Sequence, residues 1–412
     1  MSNWDDIYAT RAGRMGASEI RELLKVLDRP DVVSLAGGIP DPALFPTELF
    51  NHAYADILTG EEAKAALQYS VSEGYGPLRE WLVERMRRHG IECSLENVFI
   101  TSGSQQGLDY LGKLFLSPRD TALVTWPTYL GALQAFNAYE PTYDQLSLGG
   151  NRSPESYRKA AAEAGGKVKF AYVCPDFANP TGITMDVADR ERLLDLADGL
   201  DCAVIEDAAY QALRYEGDDL RPVLALDIAR KGHIDATRTI YCGSFSKTLS
   251  PGLRVGWVCA NRDVIHRLVL AKQASDLHSP TINQMAIARV AAGGFDAQVT
   301  KIRAVYRERR DAMLAALERY MPEGSSWTRP EGGMFVWVTL PAGLDGAALL
   351  AHSMETEKVA FVPGRAFYAD GSGANHIRLN FSCADGPMID DAIRRLARLV
   401  AAELTKRLET TA

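Results

Sequence analysis

Between residues 75 and 290 the chain alternates short apolar runs with stretches of helical periodicity. The runs are NVFIT (97–101), ALVTW (122–126), KFAYVC (169–174), CAVIED (202–207), RTIYCG (238–243) and GWVCA (256–260). Between them lie helical patterns such as VADRERLLDLADGL (187–200). Apolar strands separated by helices predict a mainly parallel sheet with both faces covered. A long helical stretch over 295–321 follows, and then the pattern changes. GMFVWVTL (333–340), VAFVPG (359–364) and HIRLNFS (376–382) read as strands of a second, smaller α+β unit, which the helix PMIDDAIRRLARLVAAEL (387–404) closes. Near the start, residues 17–27 place Ile20, Leu23, Leu24 and Leu27 on one helical face. SLAGGIPDPALFP (34–46) is too rich in Gly and Pro for anything but an extended loop. No internal repeat, low-complexity tract or linker interrupts this order.

Composition narrows the picture. The 412 residues are 47% hydrophobic, 24% charged and 8% aromatic, an ordinary globular balance whose length predicts one large and one small domain. The formal charge of −8, with no basic stripe, argues against a nucleic-acid partner. Six cysteines (93, 174, 202, 242, 259 and 383) lie in mostly apolar surroundings with no C-x-x-C and no H-x-x-x-H, so reduced thiols and no metal site are expected. The opening MSNWDDIYATRAGRM has no apolar signal core, and no apolar run approaches the ~18 residues of a membrane span. A cytoplasmic protein without membrane contact is expected.

Candidate chemistry gathers where strands end, the place at which open α/β sheets collect ligands. SFSKTLSPGLRVGW (244–257) sets Lys247 between hydroxyls, with Arg254 downstream. A surface lysine is the plain reading. Burial or a neighbouring cation would instead make its amine nucleophilic, while Ser244, Ser246 and Arg254 suit a phosphate. TSGSQQGLDYLGKLFL (101–116) runs from a strand into a helix, and Gly103, Ser104 and Gln105 would offer donors at the positive end of its dipole. Alternatively Ser102 or Ser104 simply caps that helix. CAVIEDAAYQAL (202–213) brings Glu206, Asp207 and Tyr210; a strand-end carboxylate is either a helix cap or the partner of a pyridine nitrogen, which it would keep protonated so that the ring accepts electrons. Asn179 precedes Pro180 in a turn. Arg378, inside a predicted strand, needs an anion, either an internal carboxylate or a bound one.

Taken in order, S-G-S-Q, P-T-Y, A-N-P-T-G, E-D-A-A-Y, S-x-S-K, P-G-x-R-x-G-W and R-x-N-F resemble the class I and II aminotransferases of the aspartate-aminotransferase fold, from the Gly-Gly loop at 37–38 to the last helix. The resemblance implies the pyridoxal-phosphate-dependent transferase fold, an α/β architecture in which a large domain with a mainly parallel seven-stranded sheet covered by helices joins a smaller α+β domain. The division expected is 1–50 (N-terminal helix or arm and part of the small domain), 51–295 (large, cofactor-binding) and 296–412 (small). By the same resemblance Lys247 would carry pyridoxal 5'-phosphate as a Schiff base and move the proton, Asp207 would pair with the pyridinium, and Asn179 and Tyr210 would bond the phenolic oxygen. Gly103, Ser104, Gln105, Ser244, Ser246 and Arg254 would hold the phosphate, Tyr129 would stack on the ring, and Tyr69 would reach the phosphate of the neighbouring subunit in a homodimer with shared sites. Arg378, near Gly38 and Asn179, would clamp the substrate α-carboxylate. An amino acid would then surrender its amino group to a 2-oxo acid such as 2-oxoglutarate.

ASEIRELLKVLDRPDVVSLAGGIPDPALFP is similar to the subgroup of 2-aminoadipate, kynurenine and broad aromatic or branched-chain aminotransferases, in which Ser18 and Arg21 would contact the substrate side chain. Two other readings compete. One is the effector domain of a transcription regulator of this fold, disfavoured because only some 15 residues precede the first predicted helix and the charge is negative. The other is a lyase or decarboxylase using the same cofactor.

Overall fold

The computed structural model describes residues 4, 6–16, 31–147 and 149–411. The helix expected over 17–27, with Ser18 and Arg21, lies outside the described residues.

Seven strands build the large sheet: β1 (Val98–Thr101), β2 (Thr121–Thr125), β3 (Thr142–Leu146), β4 (Val168–Val173), β5 (Ala203–Asp207), β6 (Thr239–Ser244) and β7 (Gly256–Cys259). Their spatial order is β1-β7-β6-β5-β4-β2-β3. Only β7 runs against the rest, pairing antiparallel with both β1 and β6. The continuous apolar runs follow from this arrangement, because helices cover both faces and every residue of β1, β6 and β7 is buried. β4 shows the two faces clearly. Phe170 and Tyr172 pack into one core with Phe136, the ring centroids of Phe136 and Phe170 lying 4.9 Å apart, while Ala171 and Val173 face a second core.

Strand β3, sequence TYDQL, has no apolar run and was not expected. It is an edge strand, half-covered, paired only with β2; there the hydrophobic pattern that marks buried strands is not required. The connecting helices include α1 (Thr47–Thr59), α2 (Gly76–Arg88), α3 (Ser104–Phe115), α4 (Leu130–Asn137), α5 (Pro154–Glu163), α6 (Val187–Leu200), α7 (Val223–Lys231) and α8 (Arg262–Gln273).

Helix α9 (Thr281–Tyr320) is 40 residues long and starts well before position 295, where helix was expected to begin. Its first half buries Met285, Val290 and Phe295 in the core beneath the large sheet, and its second half buries Ile302, Tyr306, Met313 and Leu317 in a separate core. One unbroken helix therefore crosses the border expected at 295/296. Beyond it, β8 (Ser326–Trp327), β9 (Phe335–Thr339), β10 (Val362–Pro363) and β11 (His376–Asn380) form an antiparallel sheet in the order β10-β11-β9-β8. The single strand expected over 359–364 is in fact two pieces, because Val359–Ala360 leaves to pair in parallel with Val33–Ser34 while Val362–Pro363 joins β11. The N-terminal segment is thereby tied to the small unit. α10 (Gly346–Thr356) and α11 (Gly386–Thr411) complete it.

Candidate active site

A cavity of about 450 Å³ opens where β5 and β6 end and where the loop at 38–39 and strand β11 come over them. Polar and apolar groups share its lining about equally, a larger polar share than most small-molecule sites have.

On its floor the adjacent carboxylates Glu206 and Asp207 do different work, because successive residues of a strand face opposite sides. Glu206 points away from the cavity and accepts the first backbone N–H groups of α7, from Val223 and Leu224, at 2.9 Å each. That is the helix-cap role. Asp207 lines the cavity. Its Oδ2 accepts the Tyr172 hydroxyl at 2.8 Å, while its buried Oδ1 has no hydrogen-bond partner among the described residues. Burial, against the opposing Tyr172 bond, raises the Asp207 pKa to about 6. A buried carboxylate with one oxygen left open is costly unless something else donates to it.

Lys247 follows β6 and is half-buried, not a solvated surface lysine. Its Nζ donates to Gly38 O at 2.6 Å and sits 5.9 Å from the centre of the Tyr210 ring. Burial first, then the nearby Arg378 and Arg254 charges, lowers its pKa to about 8 despite Asp207. Tyr210, whose pKa burial pushes well up, accepts from Asn179 Nδ2 at 3.4 Å.

Arg378 is buried in β11, its guanidinium over Phe335 at 4.3 Å. It donates to Asn179 Oδ1 at 2.8 Å and to Ala36 O at 2.7 Å, and its Nε has no partner among the described residues. No carboxylate of the described residues pairs with it, so the internal salt bridge is not what the fold contains. A buried cation facing a cavity without a counter-charge is suited to a bound anion.

The far wall is built for a second anion. Helix α3 begins at Ser104 with Gly103 as its N-cap, and no side chain of the described residues caps it, contrary to the capping role considered for Ser102 or Ser104. The N–H groups of Ser104 and Gln105 are thus turned toward where a ligand would sit, while that of Gln106 donates to Gly103 O at 3.2 Å. Gly103 has φ +79, and a Cβ there would overlap the Arg254 guanidinium. Glycine is needed both for that backbone and for the close approach. Ser104, Ser244, Ser246 and Arg254 line this end, with the Ser244 hydroxyl donating to Ser246 Oγ at 2.9 Å. Gln105 also lines it, its Nε2 donating to Gly131 O at 2.6 Å. Tyr129 stands at the start of α4, its pKa pushed up to about 12 by burial.

Of the expected residues, Tyr69 is not at this cavity. It is 79% exposed, its ring edge-on to His278 at 6.0 Å. Sequence reasoning missed Tyr172, Cys174 and Gln134, of which the last two line the cavity. Tyr172 carried a usable signal, since a lone phenol in an apolar strand needs a buried partner.

These residues sit within a chain that resembles known proteins along nearly all its length. The family model for class I and II aminotransferases matches residues 33–396. The chain is 42% identical over 410 residues to aromatic-amino-acid aminotransferase 1 of Thermococcus litoralis, covering 98% of this chain and 96% of that one. The α-aminoadipate aminotransferase of Thermus thermophilus, complexed with N-(5'-phosphopyridoxyl)-L-leucine, superposes with a TM-score of 0.88 at 40% identity, covering 98% of this chain and 100% of that one. For the kynurenine aminotransferase of Pyrococcus horikoshii in complex with PMP, the TM-score is 0.89 at 43% identity, with 98% and 99% covered.

Proposed function

The chain belongs to the class I and II aminotransferases, as a pyridoxal-phosphate-dependent enzyme of the aspartate-aminotransferase fold, and on that premise we propose how its own residues divide the work and which amino acids it takes. The observation that carries the assignment of roles is the convergence of Lys247, Asp207 and two unpaired anion sites on one cavity.

The residues present suit the cofactor. The open Asp207 Oδ1 would accept the ring N–H, the Ser104–Gln105 turn with Ser244, Ser246 and Arg254 would take the phosphate, and Tyr129 would cover the ring. Asn179 and Tyr210, already bonded to each other, would reach the phenolic oxygen. Pyridoxal phosphate supplies an aldehyde that condenses with amines and a ring that takes up the electrons of a broken Cα–H bond.

The rest falls to side chains. With its pKa near 8, roughly a tenth of Lys247 is neutral at pH 7, against fewer than one in a thousand for an ordinary lysine. Its amine can therefore attack a carbonyl and afterwards hold the proton lost from substrate Cα. In the second half-reaction it returns a proton to the corresponding carbon of the 2-oxo acid. Arg378 orients the substrate through the α-carboxylate, and the surrounding apolar rings keep that ion pair dry.

The donors assigned are 2-aminoadipate, aromatic and branched-chain amino acids, with 2-oxoglutarate as acceptor; the names of the relatives at 40–43% identity support this range. We assign the division of the chain at 50/51 and 295/296 on the two separate cores, with α9 as the rigid strut between them. We also place the active form as a homodimer in the cytoplasm, supported by the exposed Tyr69 and by six cysteines that are all free. A donor panel against 2-oxoglutarate, including aminoadipate, kynurenine, leucine, valine, phenylalanine and alanine, tests the substrate range through glutamate formed. Lys247→Ala is expected to lose the visible absorbance of bound cofactor and at least about a thousandfold in turnover; wild-type turnover in that variant would refute its role.

A further inference from the structure

A fully buried lysine takes no part in the proposed reaction. Lys272, in the last turn of α8, has a side chain with no exposed surface. Its Nζ donates to both oxygens of Asp276, at 2.9 and 3.1 Å, and to Gln106 Oε1 at 2.8 Å. Gln106 in turn donates its Nε2 to Asp276 Oδ2 at 2.7 Å, and its Oε1 accepts the backbone N–H of Ser102 at 2.8 Å. The orientation of this amide follows from its neighbours. One end faces two donors and must be the oxygen, and the other faces a carboxylate and must be the nitrogen.

Ser102 is held a second time, its hydroxyl lying 3.3 Å from Asp276 Oδ2 and 3.0 Å from Ser279 Oγ. The far side of the arrangement is fixed as well. The N–H groups of Ser275, Asp276 and Leu277 all donate to the carbonyl of Lys272, at 2.9–3.0 Å, which winds the segment after α8 around this one residue. Ser102 immediately precedes Gly103 and Ser104, the turn assigned to the cofactor phosphate. That turn carries a positive φ at Gly103 and receives no side-chain cap, so the local sequence alone gives it little to hold its shape.

We propose that Lys272, acting through Gln106 and Asp276, is a positioning residue that holds the 102–104 turn in the conformation that grips the phosphate. The proposal rests on the assignment of that turn to the phosphate. It differs from a general stabilising role in one respect: what it sets is the preference for a phosphorylated ligand, not the binding of the ring.

Lys272→Met keeps the length of the side chain and leaves no buried charge, because Asp276 reaches solvent. Gln106→Leu removes the same link from the other side should the first variant fail to fold. Full-length wild type and variants, freed of cofactor by dialysis, are titrated with pyridoxal 5'-phosphate and separately with pyridoxal, which lacks the phosphate. In the variants the ratio of the two affinities is expected to fall by about tenfold, the size of one lost hydrogen bond to a charged group, while the affinity for pyridoxal stays as in wild type. An unchanged ratio overturns the proposal, including the case in which both affinities fall together or only the melting temperature drops. Arg254→Ala is run beside them. If it too keeps the wild-type ratio, the assignment of this end of the cavity to phosphate fails; if it loses the ratio while Lys272→Met does not, only the role of Lys272 fails.

Discussion

The surroundings of Asp207 and Lys247 make the charged form of each less favourable than it is in water, and for Asp207 the shift bears on stability. The pKa of Asp207 is raised on folding from 3.8 to about 6. Between those values the folded protein binds the proton more tightly than the unfolded chain, so this group's contribution to stability declines as pH rises. The cost is absent below about pH 4 and fully present above about pH 6, where it amounts to roughly 2–3 kcal/mol. Asp207→Asn keeps an oxygen for the Tyr172 hydroxyl but removes the charge. In cofactor-free protein it is expected to melt at a higher temperature than wild type above about pH 6, with the advantage vanishing near pH 4. Scanning calorimetry at the two pH values checks this, and equal melting temperatures above pH 6 would contradict it. The same variant should retain cofactor poorly, a trade of stability for function common at active sites.

At the scale of elements, β5 divides two tasks between neighbouring carboxylates. Glu206 → Ala strands the N–H groups of Val223 and Leu224 at the start of α7, each worth roughly 1–3 kcal/mol when buried and unpaired. A lower melting temperature with an unaltered spectrum of bound cofactor is the expected result; loss of the spectrum instead would place Glu206 in the site. Glu206 is itself raised to about 7 by burial, outweighing the nearby Arg190 charge and its two backbone donors. The turn into α3 shows the converse economy. Gly103→Ala adds a methyl where the Arg254 guanidinium lies and where φ is positive. A fall of about tenfold in affinity for pyridoxal phosphate is expected, read by equilibrium dialysis, from the displaced charge-assisted contact.

At the scale of the molecule, Tyr69 does not line the cavity of its own chain, and we propose that it acts in that of a neighbouring subunit. Leu67, Tyr69 and Val71 are all exposed, an apolar stretch unusual on a free surface. If Tyr69 acts in a neighbouring subunit, two defective variants complement one another. Lys247→Ala and Tyr69→Ala enzymes, unfolded together and refolded, form mixed dimers in which one site carries both defects and the other carries neither. Recovery of activity above that of either variant alone is expected. If instead Tyr69 serves its own chain, every mixed site is defective and no recovery occurs.

Much of this is legible in the sequence itself. Six of the seven strands of the large sheet announce themselves as apolar runs because both sheet faces are buried, whereas the polar edge strand Thr142–Leu146 has no such obligation and left no signal. Only the second half of the 40-residue α9 is legible in the sequence, because the helix passes between two cores and its apolar stripe changes partner midway. Residue identities along the chain determined the fold class and the cofactor chemistry, since the same short motifs set both the turns and the donors. Only the tertiary structure decided which of two adjacent carboxylates faces the cavity, that Arg378 has no counter-ion among the described residues, and that Lys247 is enclosed enough, near two arginines, for its pKa to fall to about 8. Burial and charge spacing depend on segments distant in sequence, such as Gly38, Asn179 and Arg378, meeting in space. No local pattern of residues can contain that information.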